Sequence, residues 1–116
     1  MPNPVAPIET IEQLRDALQI FCAARDWHRY HTPKNLVMAL SVEVAELVEH
    51  FQWETPDAYR EMDAEKRAAV ADEIADVLIY LTELADVLNI DMLDATSRKL
   101  IKNAQKYPAP PNAETP

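Results

Sequence analysis

Apolar residues recur at intervals of three and four positions along most of this chain, which is the spacing of one face of an α-helix. Four such segments follow one another, and each opens on a threonine or aspartate that can cap a helix N-terminus. No segment shows the alternation of apolar and polar residues that is typical of a half-buried strand. The pattern therefore predicts an all-α fold, built as a compact bundle of four main helices.

Start and stop signals set the bounds of the four predicted helices. The capping candidates are Thr10, Thr32, Asp63 and Asp91, and Gln13 stands three residues after Thr10, as a capping box requires. Prolines at positions 33 and 108 support the second start and the last stop. One additional helical turn is expected over residues 57–62. The predicted helices cover residues 10–26, 32–53, 63–89 and 91–107.

The length of 116 residues predicts a single domain. Residues 1–7 and 108–116 are rich in proline, which prevents helix formation, so we expect a frayed N-terminus and a flexible tail there. Residues 8–107 then form the folded domain. Because so small a chain buries a limited fraction of its surface, we expect it to assemble as a homo-oligomer.

Composition and charge exclude several classes of function. The chain has no glycine, on which the phosphate-binding loops of the Walker and Rossmann kinds depend. Its net charge of −9 disfavours binding to a nucleic-acid polymer or an anionic membrane. Cys22 is the only cysteine, so no intrachain disulfide can form, and we expect it to be a small core residue. With no signal peptide and no apolar run long enough to span a membrane, we expect a cytoplasmic protein.

Two pairs of acidic residues repeat one pattern thirty positions apart. Glu43 and Glu46 are three residues apart in the second helix, and Glu73 and Asp76 have the same spacing in the third. Residues at this spacing are neighbours on a helix surface. At about 100° per residue, the first acid of each pair falls at the edge of the apolar stripe of its helix, and the second falls just outside it.

If the two apolar stripes pack together, four carboxylates meet along one seam of the interface. Their repulsion and partial burial are unfavourable, and a divalent cation that prefers oxygen ligands removes both costs. Mg²⁺ commonly binds through a few carboxylates together with substrate phosphates. The pattern favours a Mg²⁺ site, although an acid pair on a single helix is usually solvated surface. The predicted ligands are Glu43, Glu46, Glu73 and Asp76.

Other side chains allow two interpretations each. Glu49 either reaches the acidic site or is exposed, and Glu83 is expected to be a solvated charge. Trp27 and Trp53 flank the second helix, where a tryptophan packs in a core or interface or stacks on a substrate ring. One face of the last helix is basic, and it either receives phosphate oxygens or complements the helix dipole. That face carries Lys99, Lys102, Asn103 and Lys106.

Residues 35–53 and 72–81, which contain the two acid pairs, resemble the MazG-like nucleotide pyrophosphohydrolases. These belong to the all-α nucleoside triphosphate pyrophosphatases. The likeness covers about residues 8–108 and is strongest to the dCTP pyrophosphatase branch of the family. The residues that carry this second likeness are Arg25-Asp26-Trp27, His31, Asn35, Phe51-Gln52-Trp53, Lys99, Asn103 and Tyr107-Pro108.

Two positions depart from the family pattern. Val42 precedes Glu43, whereas the widest family pattern has a further acid there, which the dCTP branch also lacks. Leu18 stands on the first helix, where the eukaryotic dCTP enzymes have a pocket histidine.

The resemblance implies hydrolysis of a (deoxy)nucleoside triphosphate to the monophosphate and pyrophosphate, with dCTP or a related dNTP as the expected substrate and nucleotide-pool sanitation as the expected role. It implies Mg²⁺ held by the four acids, and sites near the subunit interfaces of a dimer or tetramer. Glu46 and Glu49 are the candidates for the catalytic base. The expected substrate-binding residues are Trp27, His31, Trp53, Lys99, Lys102, Asn103, Lys106 and Tyr107.

The alternative function is a non-catalytic helical interaction module, whose acids only solvate the bundle. A di-iron carboxylate bundle fits poorly, because that fold uses Glu-x-x-His pairs. His50 follows Glu46 by four positions, and the third helix has no histidine.

Overall fold

The computed structural model describes residues 7–111, and within that range it contains four α-helices, two short 3-10 helices and no strand. The all-α class is confirmed, as is the turn expected over residues 57–62. The predicted domain limits stay predictions, since residues 1–6 and 112–116 lie outside the described range. The α-helices are α1 (Ile11–Ala24), α2 (Pro33–Glu49), α3 (Ala64–Val87) and α4 (Met92–Lys106), and the 3-10 helices cover His28–Tyr30 and Ala58–Glu61.

Side-chain caps fix the start of every α-helix. The hydroxyl of Thr10 accepts the backbone N–H of Gln13 at 3.0 Å, and the Gln13 side chain accepts the backbone N–H of Thr10 in return. Thr32, Asp63 and Asp91 each accept the backbone N–H three residues further on, at 3.2, 2.8 and 3.0 Å. A cap of this kind typically stabilises a helix by about 1 kcal/mol. All four predicted caps are confirmed.

The core lies among α1, α2 and α3. The largest contact between helices joins α2 to α3, and α1 packs on α3. The most deeply buried side chains are Leu36 on α2, Thr82 on α3 and Cys22 on α1. The Thr82 hydroxyl donates to the carbonyl of Leu78 at 2.7 Å, so its burial leaves no unpaired donor. This packing places the two helices that carry the acid pairs against each other.

The second helix is shorter than predicted. It ends at Glu49 rather than near Trp53, because the N–H of His50 donates to Leu47 and a turn begins there. Trp53 follows this turn and is 90% exposed.

The fourth helix departs from the predicted compact bundle. Its first turn meets the end of α3, where Leu88 and Met92 line a small cavity. No residue of α4 is buried, and Leu93, Leu100 and Ile101 are 57%, 64% and 63% exposed. The radius of gyration is 17.9 Å, against roughly 13 Å for a compact domain of about 100 residues. None of the helices in the described range is long and apolar enough to cross a membrane.

Candidate functional site

The two acid pairs meet where α2 packs against α3. Glu43 on α2, and Glu73 and Asp76 on α3, each place a carboxylate oxygen within 4.8 Å of the other two. Glu46 lies outside this closest group, yet its charge acts on both Glu43 and Glu73. The structure therefore brings three of the four predicted ligands together and keeps the fourth beside them. We call these four residues the acidic cluster.

Two oxygen atoms of the acidic cluster are buried without a hydrogen-bond partner among the described residues, Glu43 Oε2 and Glu73 Oε2. Burial raises the pKa of Glu43 to about 7, with further contributions from a hydrogen bond to Glu73 and from the charges of Glu46 and Asp76. Burial likewise raises the pKa of Glu73, and Glu46 adds to that effect. Because an unpaired buried carboxylate is costly, the cluster favours uptake of a proton or a cation.

The donor set of the acidic cluster fits a hard divalent cation. It offers carboxylate oxygens only, the ligand type that Mg²⁺ prefers, and neither a thiol nor an imidazole. The unpartnered oxygens of Glu43 and Glu73 are free to become ligands. Rigid helices hold all four side chains, so little ordering is needed when an ion binds.

The raised pKa of Glu43 predicts how the metal-free protein responds to pH. Its pKa is about 7 in the folded chain and 4.5 in the unfolded reference, so the folded state holds an extra proton between these values. Stability from this group is present below the lower value and is lost as the pH rises through the higher one. In EDTA we expect the melting temperature to fall between about pH 5 and about pH 8, with Mg²⁺ restoring it at the higher pH. A metal-free melting temperature that rises steadily over this interval would contradict the burial of the acidic cluster.

An open cavity of about 410 Å³ adjoins the acidic cluster, between α1 and α3. Glu43 and Asp76 line its side nearest the cluster, so the two features share residues. Its remaining walls are largely apolar and include Leu18, Phe21 and Trp27. Small-molecule pockets typically have volumes of about 300–1,000 Å³ with apolar walls and a few placed polar groups, and this cavity has those properties.

The turn after α1 brings Trp27 and His31 to the cavity. Asp26 adopts a left-handed backbone conformation with φ of 56°, and the N–H of Trp27 then donates to the carbonyl of Cys22 at 3.0 Å. The Trp27 ring meets Phe21 edge-on at 5.6 Å between centroids, and it meets His31 in the same manner at 6.5 Å. Two predicted substrate-binding residues thus line the cavity that adjoins the acidic cluster.

A second polar group lines the same cavity. The thiol of Cys22 donates to Glu83 Oε1 at 3.0 Å, and His31 Nδ1 lies 3.8 Å from the same oxygen. The Glu83 side chain is only 10% exposed, so the prediction of a solvated charge is wrong; it faces α1 rather than solvent. Burial raises the pKa of Cys22 to about 12, with Glu83 contributing, which keeps the thiol protonated. The expectation that Cys22 is a small core residue is confirmed.

The other predicted site residues lie elsewhere in the described chain. Glu49 is exposed near the end of α2, and Trp53 follows it in an exposed turn. The basic face of α4 does not line the cavity in this single chain, and only one of its residues is even half-buried. These α4 residues are Lys99, Lys102, Asn103 and Lys106, followed by Tyr107 at the helix end.

Sequence reasoning missed Glu83 and the adjacent Tyr80 as cavity residues. Burial raises the pKa of Tyr80, and the nearby charges of Glu43, Glu83 and Asp76 add to this effect. The sequence did contain a signal for these two residues. Asp76, Tyr80 and Glu83 follow Glu73 at steps of three, four and three residues, which is the spacing of one helix face. This spacing continues one helix face from the acidic cluster into the cavity.

The chain is similar in sequence to known proteins. A family model described as MazG-like matches residues 38–115. The chain is 40% identical over 109 residues to the mouse (Mus musculus) protein dCTP pyrophosphatase 1, covering 92% of this chain and 64% of that protein. The human (Homo sapiens) protein of the same name is 41% identical over 109 residues, covering 90% of this chain and 62% of that protein. This chain therefore spans slightly less than two thirds of these relatives.

A solved structure also matches. A pyrophosphatase from Archaeoglobus fulgidus superimposes with a TM-score of 0.81 at 44% sequence identity, covering 92% of this chain and all of that chain.

Proposed function

We propose that this chain, which belongs to the MazG-like family, hydrolyses a nucleoside triphosphate to the monophosphate and pyrophosphate. One observation carries the proposal. Glu43 and Asp76 belong to the acidic cluster and also line the apolar cavity, so a cation site and a pocket of suitable size for a ring share one wall. A nucleotide is a ligand of that form, with a polyphosphate at one end and an aromatic base at the other.

In this proposal the acidic cluster holds Mg²⁺. When bound, Mg²⁺ neutralises phosphate oxygens and lowers the pKa of a water molecule. The chain's own residues position the triphosphate against the attacking water and accept the water's proton. Glu46 is better supported as that base than Glu49. The charge of Glu46 raises the pKa of both Glu43 and Glu73, so Glu46 lies close to the cation site, whereas Glu49 is exposed. The acceptor is thus a carboxylate at the border of the cluster.

The base occupies the apolar cavity in this proposal. Trp27 offers a ring on which the base can stack. His31 lies next to Trp27, and its imidazole offers both an aromatic ring and polar nitrogen atoms. We propose dCTP or a related dNTP as the substrate, because the mouse and human relatives are named dCTP pyrophosphatase 1. Clearance of such nucleotides from a cytoplasmic pool is the role proposed for the enzyme.

A second copy of the chain completes the site in this proposal. The basic face of α4 and Trp53 are exposed and lie outside the cavity of their own chain. The adjacent apolar row of α4, Leu93, Leu100 and Ile101, is also exposed. If this row packs against another copy, association can bring lysines of one chain toward the phosphates held by the other. Lysine at that position stabilises the negative charge that develops on the leaving pyrophosphate.

A substrate panel tests the proposed function. Purified protein is incubated with Mg²⁺ and each of the four common dNTPs, the four NTPs and dUTP, and pyrophosphate release is measured. We expect turnover with dCTP among the best substrates. Absence of pyrophosphate release across the whole panel, together with a melting temperature unchanged by Mg²⁺ and nucleotide, would instead support the non-catalytic interaction module.

A further inference from the structure

The cavity contains a carboxylate that the proposed chemistry does not use. Its lining includes three acidic side chains, and two of them, Glu43 and Asp76, belong to the acidic cluster. The third is Glu83 on α3. It faces α1, where the Cys22 thiol contacts it and Leu18 offers no polar group. Glu83 is therefore the anionic group available to contact the part of a ligand that lies away from the phosphates.

Glu83 lacks the partners that a buried carboxylate normally has. Its side chain is 10% exposed, and no lysine or arginine pairs with it among residues 7–111. Its hydrogen-bond donor is the Cys22 thiol, which is a weak donor. The Nδ1 atom of His31, at 3.8 Å from the carboxylate, is beyond hydrogen-bond distance. A carboxylate accepts about four hydrogen bonds, so Glu83 retains acceptor capacity next to the cavity.

The position of Glu83 suits the far end of an extended ligand. It follows Asp76 by seven residues on the same helix, which corresponds to about 10 Å along the helix axis. A ligand that contacts both groups must present cation-bound oxygens at one end and a hydrogen-bond donor at the other. A nucleoside triphosphate has this form when its base carries an exocyclic amine.

We propose that Glu83 determines base specificity by accepting a hydrogen bond from the exocyclic amine of cytosine. This inference rests on the proposed function, since it assumes that the cavity holds the base. Carboxylates accept from the N4 amine of cytosine, whereas uracil and thymine present the O4 acceptor at the same place. A carboxylate facing O4 leaves two acceptors opposed in a desolvated site, which is unfavourable. Glu83 thus selects for the amine and against the carbonyl.

The first test uses the unaltered protein and compares substrates that differ at position 4 of the pyrimidine ring. Values of kcat/KM are compared for dCTP, for dUTP, and for the deoxynucleoside triphosphate of 2-pyrimidinone, which lacks the amine of cytosine and is otherwise alike. Sites built to hydrogen-bond a substrate N–H can discriminate by factors as large as about 10⁵. Because the cavity is open, we expect a more modest preference for dCTP of about 100-fold over dUTP and at least about 10-fold over the analogue. Equal kcat/KM for dCTP and the analogue would overturn the proposal.

The second test changes the residue. In Glu83→Gln the amide can donate to O4 of uracil, so we expect kcat/KM to fall for dCTP and rise for dUTP, bringing their ratio to within about threefold. Asp86→Asn is the matched control, because Asp86 lies three residues further along α3 and does not line this cavity. Its carboxylate accepts a hydrogen bond from the Gln19 side chain at 2.9 Å. The control should keep the original ratio. A Glu83→Gln protein that turns over both nucleotides at the original ratio would refute the assignment.

The two proposals fail in distinguishable ways. If the proposed function is wrong, the unaltered protein hydrolyses none of the nucleotides, and the role of Glu83 falls with it. If only the inference about Glu83 is wrong, the unaltered protein is active but does not distinguish dCTP from the analogue that lacks the amine. Because this comparison needs no variant, it can overturn the inference even if Glu83→Gln does not fold.

Discussion

Replacing Glu73 with glutamine is expected to reduce nucleoside triphosphate hydrolysis by about 1,000-fold, since even residues that only support metal ligands typically contribute about 10–100-fold. Glu73 joins Glu43 and Asp76 in the closest part of the acidic cluster, and its Oε2 atom is buried without a partner. The same variant should not lower the melting temperature in EDTA. The substitution removes one of several mutually repelling buried charges, and the glutamine keeps a side-chain oxygen that can accept the hydrogen bond from Glu43.

The control for this prediction is Asp72→Asn. Asp72 is the preceding residue of α3, is exposed, and lies outside the acidic cluster. Its loss should change neither activity nor the increase in melting temperature that Mg²⁺ produces. If Glu73→Gln remained fully active, the assignment of the acidic cluster would be rejected. If it were inactive but also strongly destabilised in EDTA, Glu73 would have a structural role instead.

If the chain associates through α4 as proposed, replacing Leu100 with glutamate is expected to dissociate that assembly into smaller species. Leu100 is 64% exposed on α4, and burial of a leucine in an interface contributes about 1.5–3 kcal/mol. A charge at that position removes this contribution in each subunit and adds a desolvation cost. Light scattering coupled to size-exclusion chromatography gives the mass directly. Activity should fall with the mass, because the proposed site draws lysines from a second copy.

Gln105→Glu is the matched variant for this experiment. It introduces the same charged residue into the same helix, at an exposed position about 140° around the helix axis from Leu100. It should leave the mass unchanged. A single-chain mass for the unaltered protein, or an unchanged mass in Leu100→Glu, would contradict the proposed association through α4.

The helices and their caps could be predicted from the sequence because both depend on local interactions. Thr10 and Gln13 form their capping box within four residues of chain, and the apolar spacing that defines each helix is equally local. The acidic cluster could also be predicted, because the two acid pairs repeat against matching apolar stripes. Only the assumption that those stripes pack together was non-local, and the contact of α2 with α3 confirms it.

The cavity could not be predicted in the same way. Glu83 resembles many solvated helix charges, and its burial depends on α1 packing across α3, which places Cys22 3.0 Å from it. The packing partner of α4 could not be predicted either. Its amphipathic pattern predicts an apolar contact but does not identify the chain that provides it, and within this chain Leu93 and Leu100 remain exposed. Trp53 was expected near the base, and the early end of α2 leaves it in an exposed turn.

The most direct measurement of the central claim is ³¹P NMR of the products formed from dCTP. With Mg²⁺ we expect equal amounts of dCMP and pyrophosphate from the unaltered protein, no product in EDTA, and almost none from Glu73→Gln. Orthophosphate and dCDP as products would contradict cleavage between the α- and β-phosphates. Undiminished hydrolysis in EDTA would contradict the role of the acidic cluster as a cation site.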